Sequence, residues 1–379
     1  MMNSRERVQA AINHQPPDRV PLDLNPTLTA YKNLKRHLGL HIENDLVVNN
    51  AMEVIPHPDV LAALGVDVIS VKLPGGIDAS VELPERLRDA WGIEYRLVRQ
   101  SVGMHYEAIG HPLADATLAD LNSYPWPRPR LGGTIDALHQ HARQLYEQTD
   151  LALMGRFGAP ILEIAAFLLG MENWYIRLAQ DQEFIRALLD RISAIVTDYD
   201  LAGIEAAGEY LQIFKVSGED LGTQNGLMFS PKVFHEVLLP PLQHRWDTVR
   251  EHINRVNASA KIMLHSCGAI RPLIPDLIEA GIDILDPVQP LAHGMEAAGL
   301  KADFGDRLVF HGGIDVQRLL PHGTPDEIVG RVQQCLTDFQ GHRGGLILAP
   351  SHNVQADVPP ENLVAMSRTV VDWRPASLS

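Results

Sequence analysis

Two residues within KIMLHSCGAIRPLIPDLIEAGIDILDPVQP, residues 261–290, have the types and spacing to hold a metal together: His265 and Cys267. An apolar run ends at this pair. On a strand, residues two apart project to the same side, so imidazole and thiolate can reach one ion. Nitrogen and sulfur donors suit zinc, and a catalytic zinc usually takes three protein ligands and leaves a fourth position open. A third ligand is therefore required, and the candidates are His352, which follows LILAPS, then His311, Glu219 and Asp220. The plainer alternative is a hydrogen-bonded histidine beside a small buried cysteine. The other cysteine, Cys335, lies on the apolar side of the helical segment EIVGRVQQCLTDF and reads as core.

The elements that must position this pair follow from the apolar runs that end in glycine, proline or a polar cluster. They predict eight strands, at 19–25, 66–73, 151–158, 210–217, 261–265, 282–286, 307–311 and 345–349. Helix-period segments separate most of them, including 172–206, 231–257, 271–280 and 325–340. Alternating strands and helices make a parallel sheet, and eight units predict an α/β fold of the (β/α)8 TIM-barrel type. The connection RPLIPDLIEAG has a proline in its first turn and ends at Gly281, in the position of a C′ glycine.

An N-terminal helical extension, within MMNSRERVQAAINHQPPDRVP, precedes the barrel. One stretch departs from the repeat. Residues 74–150 contain DAWGIEYRLVRQSVGMHYEAIGHPLA, a strand-turn-strand pattern, and then the proline and aromatic linker LNSYPWPRPR. This is expected to be an excursion after the second strand, packed over one end of a single barrel domain spanning 1–379, because its apolar content is low for a core of its own.

In a parallel barrel the loops at the strand C-termini form the functional face. Those ends carry Asp23 and Asn25, Lys72, Arg156, Glu219 with Asp220, His265 with Cys267, Asp286 with Gln289, His311 with Asp315, and His352 with Asn353. Glu163 falls in the loop after the third strand, within the apolar stretch APILEIAAFLLGMENW, which predicts a partly greasy pocket. A polar residue at a strand end is also what an ordinary loop start looks like.

The formal charge is −15, from 32 basic and 47 acidic residues without a block of like charge, which argues against a nucleic-acid surface. Two cysteines and 26 dispersed prolines give no disulfide framework and point to a reducing compartment. Neither a signal-peptide core nor a bilayer-length apolar run is present, so the expectation is a soluble, cytoplasmic protein without membrane contact. Both monomer and homodimer are compatible with the sequence.

The order of motifs resembles the uroporphyrinogen decarboxylase superfamily over nearly the whole chain. The resemblance rests on RERVQAAINHQPPDRVP, GEDLGTQNGLMFSPKVF, IMLHSCGAIRPLIPDLIEAGIDILDPVQP, FHGGIDVQRLLPHGTPDEI and APSHNVQADVPPENLVAM. It implies a (β/α)8 barrel and one of two activities: cofactor-free decarboxylation in heme synthesis, or zinc-dependent methyl exchange with corrinoid proteins. In the decarboxylases an RQAGR-type segment supplies arginines for tetrapyrrole carboxylates. The corresponding region here reads LDLNPTLTAYKNLKRH, without those arginines or a clear counterpart of the catalytic aspartate that follows them. His352 falls at the position of a family active-site histidine.

The methyltransferase branch, which the chain resembles more closely, has an H-x-C motif on the fifth strand and a further cysteine after the eighth. His265 and Cys267 match the first two ligands, and His352 stands where the third is expected. A neutral imidazole in place of a thiolate removes a negative charge and makes zinc a stronger Lewis acid.

The resemblance thus implies zinc held by His265, Cys267 and His352, and a methyl group moved from a small methylated substrate to a corrinoid on a separate protein. The donor could be a methyl ether, a methylamine-like compound or a methylthiol. Glu163, Glu219, Asp220 and His352 are the expected catalytic groups. Asn25, Lys72, Arg156, Asp286, Gln289, His311 and Asp315 are expected to bind substrate. The alternatives are metal-free decarboxylation, of the uroporphyrinogen type or of a smaller acid, and a binding homologue without chemistry.

Overall fold

The computed structural model describes residues 1–379 except 44–45, 74–76, 79–81, 101, 129–131 and 376–379, so parts of the predicted excursion lie outside the described residues. The strands are β1 (Leu46–Val47), β2 (Val68–Lys72), β3 (Ile77–Asp78), β4 (Arg86–Arg88), β5 (Glu94–Gln100), β6 (Gly103–Gly110), β7 (Ala152–Arg156), β8 (Ile213–Gly218), β9 (Lys261–His265), β10 (Ile284–Val288), β11 (Val309–Ile314) and β12 (Leu346–Pro350). Seven of them form one parallel sheet in the order β12-β11-β10-β9-β8-β7-β2. Their apolar runs are buried along nearly their whole length, as expected of parallel strands covered on both faces.

The predicted first strand, 19–25, is not a regular strand, and this corrects the sequence reading. The segment nonetheless stands between β12 and β2. Asp23 N–H donates to Leu348 (2.9 Å), Leu348 N–H donates to Pro21 (2.9 Å), and on the other side Asp67 N–H donates to Leu22 (2.8 Å). Pro21 and Pro26 have no N–H to give, so the ladder is interrupted and only the bridge Leu22 to Leu348 remains at its centre. The other seven predicted strands are present, 261–265 with its predicted ends and the remaining six with shifted ends.

The helix Ser4–Ile12 puts Val8 and Ile12 into a buried cluster with Val68, Ala152, Met154, Ile213, Met263, Ile284, Val309 and Ile347. Most of these open their strands, so this helix plugs the N-terminal end of the barrel. Asp67, fully buried, fastens it through Arg7 (2.7 Å) and also pairs with Arg19 of the segment that follows (2.7 Å). The C-terminal end is left for a cavity.

Over that end lies the antiparallel sheet β4-β5-β6. Along β5 exposed and buried residues alternate at Glu94, Tyr95, Arg96 and Leu97, and Tyr95, Leu97 and Tyr106 join the same buried cluster as the barrel helices. The excursion ends earlier than 150, because the helix Gly132–Gln148 is the crossover that returns the chain to β7.

Two predicted helices are interrupted. Residues 172–206 divide at Asp181 into Met171–Gln180 and Gln182–Ala207, and the Asp181 side chain caps the second by accepting from Phe184 N–H (3.3 Å). Within 231–257 the segment Phe234–Leu238 widens into a π-turn before Leu239–Asn257, where Pro240 and Pro241 cannot donate to the ladder. Gly281 adopts φ +87° just beyond the helix Ile274–Glu279, as its C′ position requires.

Candidate active site

At the strand C-termini a cavity of about 850 Å³ is lined by Lys72, Arg156, Lys215, Gly218, His265, Asp286, Pro350 and His352. The same cavity is lined by Trp91, Tyr95 and Tyr106 from the antiparallel sheet, and by Glu163, Phe167, Trp174 and Tyr175 from the two helices after β7. Its floor is ionic and much of the rest of its wall is aromatic.

The motif HSCG is shaped by its glycine. Gly268 sits at φ +89°, and a Cβ there would lie 2.6 Å from the Gly222 backbone. Only glycine lets the loop after β9 approach the loop after β8 this closely. Ala269 N–H donates to Thr223 (2.8 Å), and Cys267 N–H donates to Asp220 Oδ1 (3.2 Å). The result is a group in which one ligand atom each of Asp220, His265 and Cys267 lies within 4.8 Å of the others.

The third member is therefore Asp220 and not His352, which departs from the expected ligand set. His352 lies beside the group, its ring centroid 5.7 Å from that of His265. A metal held by this group would regain from the carboxylate the negative charge that a histidine would have removed, and would be a weaker Lewis acid than one held by His265, Cys267 and His352.

His265 is oriented from behind. Its Nδ1 bonds to Asp286 Oδ2 (2.8 Å), which leaves Nε2 toward Asp220, 3.9 Å away. Such a carboxylate behind a ligating imidazole fixes the tautomer and raises ligand basicity. Asp286 itself is held by Lys215 Nζ (2.5 Å) and by His311 Nδ1 (2.6 Å), while His311 Nε2 reaches Asp23 Oδ2 (2.9 Å). Burial alone would raise the Asp286 carboxyl, but Lys215, His311 and His265 together keep it well below the usual range. Burial would likewise depress His311, yet Asp286 and Asp23 push it up to about 9.

A second ionic cluster sits beside the first. Glu53 accepts from Arg156 through a close contact and a second bond (3.0 Å), and Lys72 Nζ lies 3.9 Å away. Despite its burial, Arg156 and Lys72 hold Glu53 far below the carboxylate range. Burial and then Arg156 bring Lys72 down to about 7.

Asn25, Lys72, Arg156, Glu163, Asp220, Asp286 and His352 all line the cavity, as expected from the sequence. Glu163 is solvent-accessible, but its accessible side opens into the cavity, and burial by surrounding protein followed by Asp220 raises its carboxyl. Burial, then His265, lowers His352.

Four other expected residues do different work. Glu219 is fully buried and accepts from the N–H groups of Ile161 (2.8 Å) and Leu162 (2.9 Å), so it anchors the start of the helix Ile161–Leu169. Burial raises it to about 7 against the pull of Arg245. Gln289 holds the Gly268 N–H (2.6 Å), and Asp315 caps its own loop through Gln317, Arg318 and Leu319. His311 lies inside the polar network below the cavity. Glu53 and Lys215 were not anticipated, although a lysine in the apolar run IFKVS and an acid in AMEVIP are the signals that mark them.

The profile of the uroporphyrinogen decarboxylase (URO-D) family matches residues 92–373, and the chain belongs to this family of enzymes. The uroporphyrinogen decarboxylase of Pelodictyon phaeoclathratiforme is 26% identical over 304 residues, covering 76% of this chain and 78% of its own. That of Chloroflexus aggregans is 23% identical over 370 residues, covering 95% and 93%. Among solved structures, a methyltransferase from Methanosarcina mazei shares the fold, with a TM-score of 0.64 at 19% identity over 98% of this chain and 99% of that one. Among the described residues no helix is long and apolar enough to cross a membrane.

Proposed function

We propose that the protein transfers a methyl group from a small methylated substrate to a corrinoid carried by a separate protein, with zinc held by Asp220, His265 and Cys267. The observation that carries this reading is the convergence of those three ligand atoms within 4.8 Å, with Asp286 fixing the His265 tautomer from behind. Bound there, zinc would supply a Lewis acid for the electron pair that the departing heteroatom keeps as its bond to the methyl carbon breaks.

The chain's own residues provide the rest. Asp286 orients His265. Glu163 presents its carboxyl, raised by burial and Asp220, to the cavity, where it can give a proton to a neutral leaving atom or stand ionised opposite a cationic one. The aromatic wall limits water around the methyl carbon. On the floor Lys72, Arg156 and Lys215 are opposed by Glu53 and Asp286, and a tetrapyrrole with eight carboxylates would need many more cations than these.

The named decarboxylase relatives favour a second reading, in which His352 and a carboxylate protonate the carbanion left by a smaller acid without any metal. Metal analysis separates the two. Methyl transfer requires about one zinc per purified chain, lost in Cys267→Ala, and transfer to free cob(I)alamin that is lost with it. Zinc absent from the wild type, with carbon dioxide released from a small acid, would replace the first reading with the second.

A further inference from the structure

The charges around the cavity are unevenly satisfied. Lys72 and Arg156 share Glu53, and Lys215 is taken by Asp286. Among the described residues neither lysine nor arginine forms an ion pair with Glu163, Asp89 or Asp220, all of which line the same space. Asp89 has partners in the Trp91 and Ile93 N–H groups and the Tyr95 hydroxyl, and Asp220 in the Cys267 N–H. Glu163 makes neither a hydrogen bond nor an ion pair among the described residues.

Aromatic side chains line the same cavity as that unsatisfied carboxylate. Glu163 and Phe167 are one turn apart on the helix Ile161–Leu169 and share its face. The Phe167 ring meets Tyr95 edge-on at 6.3 Å. A second group joins the Phe229 ring to Trp174, edge-on at 6.3 Å, and to Tyr175, stacked at 6.0 Å. All six side chains line the cavity.

We propose that this part of the cavity recognises a methylated ammonium cation, with Glu163 as its counter-charge and Phe167, Tyr95, Trp174, Tyr175 and Phe229 as its aromatic wall. The inference rests on the methyl-transfer reading and narrows its substrate class. Methyl groups on a cationic nitrogen spread its charge over an apolar surface that cannot hydrogen-bond, which is what aromatic faces attract. A neutral methyl ether would leave Glu163 uncompensated.

The neighbouring metal ligands are compatible with a cation. One carboxylate, one thiolate and one neutral imidazole balance the two charges of zinc. In the transfer the C–N bond breaks, the methyl carbon passes to the corrinoid nucleophile, and the electron pair stays on nitrogen. The product amine then leaves without the fixed charge that held it.

The test is titration of the full chain, as purified, with choline and with 3,3-dimethylbutan-1-ol, which has the same shape with carbon in place of the charged nitrogen. Tryptophan fluorescence reads binding through Trp91 and Trp174. Choline is expected to bind at least about tenfold more tightly than the neutral isostere. Glu163→Gln should remove most of that preference, and so should Tyr175→Ala, a change at a rim position that is 38% exposed and tolerant of truncation.

Equal binding of the two compounds, no binding of choline at about 10 mM, or an unaltered preference in both folded variants would overturn the inference. Binding needs neither metal nor corrinoid, so failure of the zinc chemistry leaves this result standing. Methyl transfer that proceeds from neutral ethers without a cation preference would overturn the inference alone.

Discussion

His311 is 2% exposed and presents each ring nitrogen to a different carboxylate, 2.6 Å from Asp286 and 2.9 Å from Asp23. Both nitrogens act as donors only in the imidazolium form. Its pKa is pushed up to about 9 from an ordinary 6.5. At about 1.4 kcal/mol per pH unit, that difference amounts to about 3 kcal/mol of folding free energy. The unfolded chain releases this proton near pH 6.5 and the folded chain near 9. The contribution is therefore complete below 6.5 and is lost as pH rises to about 9.

Other groups titrate in the same range. Lys72, brought down to about 7 from 10.5, contributes in the opposite sense and favours the folded state as pH rises above 7. Glu219, raised to about 7 from 4.5, loses its contribution between those values. The informative quantity is accordingly the difference between wild type and His311→Gln, in which these terms cancel. For a chain of 379 residues, about 3 kcal/mol corresponds to about 4 °C in Tm. The gap in Tm between the two proteins should narrow by about that much between about pH 6 and about pH 9.5. A gap that stays constant across this range would refute the reasoning.

Three more outcomes follow from the same geometry. Glu53→Gln leaves Arg156 and Lys72 buried without their counter-charge and should cost about 3–5 kcal/mol in urea unfolding; a change within about 0.5 kcal/mol would contradict the role given to Glu53. Asp286→Asn should weaken metal affinity about 10- to 100-fold in competition with a chelating dye, because His265 loses its orienting carboxylate. Glu219→Ala frees the N–H groups of Ile161 and Leu162 and should cost about 2–3 kcal/mol while slowing turnover, because the helix carrying Glu163 loses its anchor; unchanged stability and turnover would remove that role.

The barrel was legible because parallel strands buried on both faces leave continuous apolar runs, as in VISVK, KIMLH and LILAP. The segment 19–25 reads as a strand by composition, and only Pro21 within it and Pro26 just after it hint that the ladder is broken there. Breaks at Asp181 and before Pro240 are local events, whereas helical periodicity is a property of a long window and passes over them.

In the site, His265 and Cys267 were legible because a histidine that closes β9 and a cysteine two residues beyond it are close in any backbone conformation, although Cys267 lies in the loop and not on the strand. The third member of the group was only narrowed, since Asp220 stood among four candidates behind His352. Asp220 reaches them because Gly268 lets two loops touch, and the same approach lets Leu221 N–H donate to Ser266 Oγ (3.3 Å), 45 positions along the chain. Glu219 and Asp220 are adjacent and chemically alike in sequence, yet one points into the wall to anchor a helix and the other into the cavity. Alternation along an irregular loop separates them, and sequence spacing does not reveal it.

The most direct measurement is the metal content of the purified chain alongside methyl transfer to free cob(I)alamin, for wild type and for Cys267→Ala and Asp220→Ala. The ligand geometry predicts about one zinc per wild-type chain, with zinc and methyl transfer lost together in both variants. Zinc retained in Asp220→Ala but lost in His352→Ala would return the third ligand to His352. A wild-type chain free of zinc that still turns over substrate would contradict the account at its centre.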